Sequence, residues 1–92
     1  MFTPATKLKP HPDVVATSLA GGEVVLLQLA TKQYYSLNQT GARIWKLVEA
    51  EKDIAGISGS LESEFDITLP VAQESVIGLL ESLAAEKLVL VG

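Results

Sequence analysis

Apolar residues recur at two different spacings along this chain, and the spacing changes near residue 38. Ahead of that point the pattern is that of strands. Val14 to Leu19 is rich in β-branched residues, and Ala20-Gly21-Gly22 then supplies the positive-φ positions of a tight hairpin. Glu23 to Leu29 follows, with Val25, Leu27 and Leu29 on one face at period two and Glu23 opening the same row. Val24 and Leu26 fall on the other face, so that side is open to being covered as well. A second turn at Ala30-Thr31-Lys32 leads to Gln33–Leu37, whose paired tyrosines suit a pleated, half-buried surface. These segments predict a three-stranded antiparallel meander.

From Asn38 the period becomes helical. Asn is a strong N-cap residue, and Ile44, Leu47 and Val48 follow at helical spacing, which predicts a helix from about Gln39 to Ala50. Asp53 opens a second helix, to about Glu64, with Ile54, Ile57, Leu61 and Phe65 in its stripe. Gly56 and Gly59 loosen it. Thr68 caps a third helix reaching toward Leu88, with Pro70 in the first turn and a stripe of Leu69, Ala72, Val76, Leu80 and Leu83. The closing Leu88-Val89-Leu90-Val91-Gly92 is β-prone. Strands followed by helices mean an α+β fold, and three short helices after a small sheet are what a winged-helix arrangement uses.

Composition then narrows the classes. A chain of 92 residues with 48% hydrophobic residues is one small domain able to bury a core. MFTPATKLKPHP, with prolines at 4, 10 and 12, reads as a loose arm over residues 1–12, leaving 13–92 as the domain. That segment lacks the apolar stretch of a secretory signal, and no apolar run approaches the ~20 residues of a membrane helix, so no membrane partner is expected. The chain has no cysteine, which excludes disulfides, thiol chemistry and zinc–thiolate sites and suits a cytoplasmic setting.

The net charge of −4 divides unevenly: residues 1–46 carry five basic and two acidic side chains, residues 47–92 two basic and nine acidic. A winged-helix DNA-binding protein, the main competing class, needs a basic recognition helix. The third predicted helix instead carries Glu74, Glu81 and Glu86 against Lys87, so no nucleic-acid partner is expected.

Candidate chemistry is sparse. The one histidine, His11, stands between Pro10 and Pro12 and reads as a solvated loop residue, and no nucleophile–base–orienter trio can be proposed without a histidine or a suitably set lysine. Glu49/Glu51 and Glu62/Glu64 read as solvated helix positions, Gly21-Gly22 lacks the Lys-Ser/Thr of a phosphate loop, and no calcium loop occurs. Neither catalysis, nor a metal, nor a cofactor is expected.

The informative stretch is the strand-to-helix corner Tyr34-Tyr35-Ser36-Leu37-Asn38-Gln39-Thr40-Gly41-Ala42-Arg43-Ile44-Trp45, whose Thr, Gly and Ala permit close packing against the first turn. With His11-Pro12-Asp13-Val14-Val15, Gly22-Glu23-Val24-Val25-Leu26-Leu27, Leu61, Phe65-Asp66-Ile67 and the spacing of Val76, Leu80, Leu83 and Leu88, it makes residues 11–91 resemble the PqqD family, the recognition elements for ribosomally made, post-translationally modified peptides. The chain departs from the family pattern at Ser75, where an acidic residue is common, and at Lys87, where glycine is usual. The resemblance implies a non-catalytic, winged-helix-like protein that binds the leader segment of a precursor peptide and presents it to a modifying enzyme, such as a radical SAM enzyme or a leader peptidase. The Tyr-rich strand and Trp45 look closer to stand-alone relatives in lasso-peptide and similar maturation than to those of pyrroloquinoline quinone synthesis.

The residues lead to the same mechanism. A three-stranded sheet has free edges that can accept another strand, a leader peptide or a second copy of the chain in a homodimer. Gln33, Tyr34, Tyr35, Ser36 and Leu37 form the candidate edge. Ser75 and Leu79 flank the third helix's core stripe on one side and are the expected groove residues, with Ile77 on the other flank as the alternate. A subunit that docks on an enzyme without touching peptide remains a third reading.

Overall fold

The computed structural model describes residues 2–91; Met1 and Gly92, which the expected arm and domain include, lie outside the described residues. Eight elements follow in order: β1 (Leu8–Pro10), β2 (Val14–Ser18), β3 (Val24–Gln28), β4 (Gln33–Leu37), α1 (Gln39–Glu49), α2 (Ile54–Phe65), α3 (Leu69–Ala85) and β5 (Val89–Val91). The antiparallel sheet β2-β3-β4 precedes the three helices, as the change of period predicts.

Gly21 and Gly22 sit at φ +92° and +85° in the β2–β3 turn, a region closed to most side chains. The face of β3 that enters the core differs from the row that leads the sequence pattern. Val24 and Leu26 are buried together with Gln28, while Val25 and Leu27 are half-buried and Leu29 is 44% exposed. Register explains the choice: Val24 pairs with Leu37 and Leu26 with Tyr35, so the face that carries Leu37 into α1 is the one the helices cover. Gln28 is tolerated there because Nε2 donates to the Lys87 carbonyl at 2.7 Å and Oε1 accepts from Ala30 N–H at 2.9 Å.

The three helix starts are legible. Asn38 Oδ1 accepts from Gly41 N–H at 2.9 Å and Asp53 Oδ1 from Gly56 N–H at 2.8 Å. Thr68 occupies the N-cap of α3 but makes no side-chain capping bond, and Leu69, expected in the stripe, is 38% exposed. α3 ends earlier than its apolar pattern, because Lys87 takes φ +58° while Lys87 N–H bonds Ala84 C=O and Leu88 N–H bonds Leu83 C=O. That pair of bonds is a Schellman stop, which frees Leu88 and Val89 to enter the core as β5 begins.

The N-terminal segment is not the loose arm that its prolines suggest. β1 pairs antiparallel with β5, Leu8 opposite Val91, and Leu8 is only 3% exposed within the core. The carbonyls of Thr6 and Pro4 accept from Ile54 and Ala55 N–H at 3.0 and 2.8 Å, satisfying donors that the first turn of α2 leaves free. Trp45, 2% exposed, is a core residue whose indole Nε1 finds no partner among the described residues.

Candidate leader-peptide groove

β4 lies at one edge of the sheet, with β3 on one side of it and, among the described residues, no strand on the other. Two backbone bonds fix which of its groups are free. Leu29 N–H bonds Asp13 C=O and Leu19 N–H bonds Glu23 C=O, so the odd-numbered residues at this level of β3 turn their backbone toward β2. The even residues Val24, Leu26 and Gln28 therefore turn theirs toward β4, where they face Leu37, Tyr35 and Gln33. Tyr34 and Ser36 are left with N–H and C=O groups directed away from the sheet.

Along this edge runs a groove of about 530 Å³, walled by β4, the first turn of α1 and one flank of α3. Tyr35, Ser36, Leu37, Ser75 and Leu79 line it, five of the eight residues expected from the sequence. Ser75 and Leu79 share one row of α3, four residues apart. Ile77, two residues round the helix from both, is half-buried against the core instead. Gln33 stands exposed at the start of β4, and Tyr34 projects from the opposite face of the strand, 72% exposed.

The sequence did not single out Asn38, Thr40, Gly41 and Ile44 as groove residues, although all four line it. The small residues of the Leu37–Ala42 corner were the available signal. Gly41 shows why: a Cβ there would meet Leu37 Cβ and Cδ2 at 3.3 Å, closer than ordinary contact, so a side chain would press the helix turn and the strand apart by a few tenths of an ångström. Buried Ile44 and Leu37 form an apolar floor, while Ser36, Asn38, Thr40 and Ser75 are polar. Among the described residues, none that lines this groove is charged.

Other candidate chemistry is dispersed. His11 Nδ1 accepts from the nearby Asp13 N–H at 3.0 Å, and the described residues hold no group of three or more His, Asp or Glu placed to bind a metal. No helix among them is long and apolar enough to cross a membrane. Arg43 on α1 and Glu64 on α2 form a bidentate pair at 2.8 and 2.9 Å. That hydrogen-bonded pairing raises Arg43 above its ordinary pKa and lowers Glu64 below its own.

The sequence profile of the family described as coenzyme PQQ synthesis protein D, PqqD, matches residues 23–89, from the residue before β3 through the first residue of β5. The chain belongs to the PqqD family. Two solved structures share this PqqD-family architecture. One, TbiB1 in complex with the TbiA(beta) leader peptide, is 32% identical, with 88% of this chain and 93% of that chain covered at a TM-score of 0.83. The other, lasso peptide synthetase B1 complexed with the leader peptide, is 24% identical over 91% of this chain and 98% of that one, also at 0.83, and bears on the fold alone. No curated protein matches the sequence.

Proposed function

We propose that this PqqD-family protein binds the leader segment of a ribosomally made precursor peptide as an extra strand on β4 and presents it to a modifying enzyme. The observation that carries the reading is the coincidence of a free strand edge, at Tyr34 and Ser36, with a groove directly beneath it. In an added strand, successive side chains alternate between faces. Residues opposite Tyr35 and Leu37 then drop into the groove against Leu79 and Ile44, and the intervening residues pair through their backbone with Tyr34 and Ser36. Backbone bonds supply affinity and the groove supplies selectivity. The 32% identical relative is itself a leader-peptide complex, which supports the same role here.

The protein performs no chemistry on the peptide: it acts in the cytoplasm as an adaptor for an enzyme such as a radical SAM enzyme or a leader peptidase. The free edge also suits a second copy of the chain, so a homodimer paired through β4 competes with leader binding.

Hydrogen exchange with a synthetic leader from a precursor gene adjacent to this protein's gene tests the reading. In the free protein the Tyr34 and Ser36 amides exchange fast and the Tyr35 amide slowly; adding the leader slows Tyr34 and Ser36, and Leu79→Asp removes that protection. Protection confined to β2, or none on β4, contradicts strand addition.

A further inference from the structure

Two smaller hollows, of about 390 and 300 Å³, lie beyond the C-terminal end of β4 against the β2–β3 turn and share lining residues with the groove. Asn38 and Thr40 wall both the main groove and the first hollow, and Ser36, Leu37 and Asn38 wall both the main groove and the second. Glu23 lines the two hollows and, among the described residues, is the only charged one lining any of the three spaces. Three neighbouring hollows around the Leu37–Asn38 corner thus hold one carboxylate residue, whose row with Val25 lies on the sheet face opposite Tyr35 and Leu37, so a peptide in the groove reaches it by rounding the end of β4.

The polar groups around that carboxylate are mostly engaged. Asn38 Oδ1 holds the Gly41 N–H, and Gln39 Nε2 donates to the Gly21 carbonyl at 2.6 Å. One of the free N–H groups in the first turn of α1, that of Gly41, is thus capped. Glu23 takes part in no ion pair among the described residues. Beside it in the second hollow lie Val25 and Leu19, the latter 46% exposed. An apolar shelf that ends at a carboxylate matches one kind of side chain, a methylene stem with a cationic head.

We infer that the leader carries a lysine or arginine just past its strand-paired residues, with its stem over Leu19 and Val25 and its head on Glu23, so that Glu23 sets specificity. This rests on the strand-addition reading. At about 3.3 Å per residue, a peptide leaving the position opposite Leu37 reaches the turn within about two to four residues. If the added strand is antiparallel to β4, the basic residue lies on the amino-terminal side of the groove-filling pair; if parallel, on the carboxyl side.

The test uses a phage-displayed random dodecapeptide library selected on the full chain, on Glu23→Gln, on Glu23→Lys and on Leu79→Asp, each checked for native circular dichroism. Peptides won by the unaltered protein are expected to hold two apolar residues at i and i+2 and a Lys or Arg about two to four residues away, always on the same side. Glu23→Gln should retain the apolar pair and lose the basic preference, and Glu23→Lys should exchange it for Asp or Glu. For one selected peptide, replacing its basic residue by Ala should weaken binding about two- to fivefold, and combining that change with Glu23→Gln should cost no more than either alone. Selected peptides with the apolar pair but no basic preference, or with one that Glu23→Gln leaves unchanged, overturn the inference and leave strand addition standing. Peptides that bind Leu79→Asp as well as the unaltered protein overturn both.

Discussion

Lys87 shows how a single backbone angle shapes this structure. At φ +58° it occupies left-handed space that a side chain enters at a cost of about 1–2 kcal/mol and that glycine enters freely. Lys87→Gly removes that strain but gives the unfolded chain more freedom, so the expected net gain is about 0.5–1 kcal/mol, seen as a rise of a few degrees in Tm. Asn38 tests the opposite case: Asn38→Ala deletes the cap on Gly41 and should cost about 0.5–2 kcal/mol in a denaturant titration. Side-chain caps such as Asn38 and Asp53 are readable because the residue type and the helical period coincide. The end of α3 is not, because its apolar pattern runs on to Leu88 while Lys87 stops the helix at positive φ without being glycine. The groove residues divide the same way. Tyr35 to Leu37 announce a strand, whereas Ile44 looks like any core position until the strand is laid beside it.

β4 carries the sharpest expectation among the elements. Ser36→Pro removes a donor that points away from the sheet, so the protein should keep its melting curve and lose leader affinity at least tenfold, since the ring also bars close approach. Tyr35→Pro removes a donor shared with Leu26 and should lower Tm itself. Retained affinity in a folded Ser36→Pro protein excludes pairing at this edge. Between α1 and α2, the Arg43–Glu64 pair ties stability to pH. Glu64 is held below its ordinary value by the Arg43 hydrogen bonds, so its contribution is present above the usual carboxylate range near pH 4 and is lost as pH falls through the lowered value. Arg43, raised from an already high value, adds dependence only in strong alkali. Melting curves of the unaltered protein and Arg43→Gln should therefore differ at neutral pH and converge in acid. The difference should be small and shrink with salt, because both groups face solvent.

On the scale of the whole molecule, the acidic surface of the helices sets what the protein avoids. Glu74, Glu81 and Glu86 lie on exposed parts of α3 and its cap, so duplex DNA should show no binding by fluorescence anisotropy even at low salt. The sequence failed most clearly on residues 1–12. Their work is done by the carbonyls of Pro4 and Thr6 and by one leucine, and main-chain acceptors leave no trace in a pattern of side chains. Leu8→Ala should cost about 2–5 kcal/mol, a large part of the stability of so small a domain, measured by urea unfolding. The pairing of β1 with β5 has a topological consequence: the first and last strands among the described residues are neighbours in one sheet, so linear order is not what defines the fold. A circular permutant joined from residue 91 to residue 2 by a short Gly-Ser linker, and opened at the exposed Glu51-Lys52 turn, would be synthesised with α2 and α3 ahead of the meander, yet the same sheet edge would still meet the same helix flank.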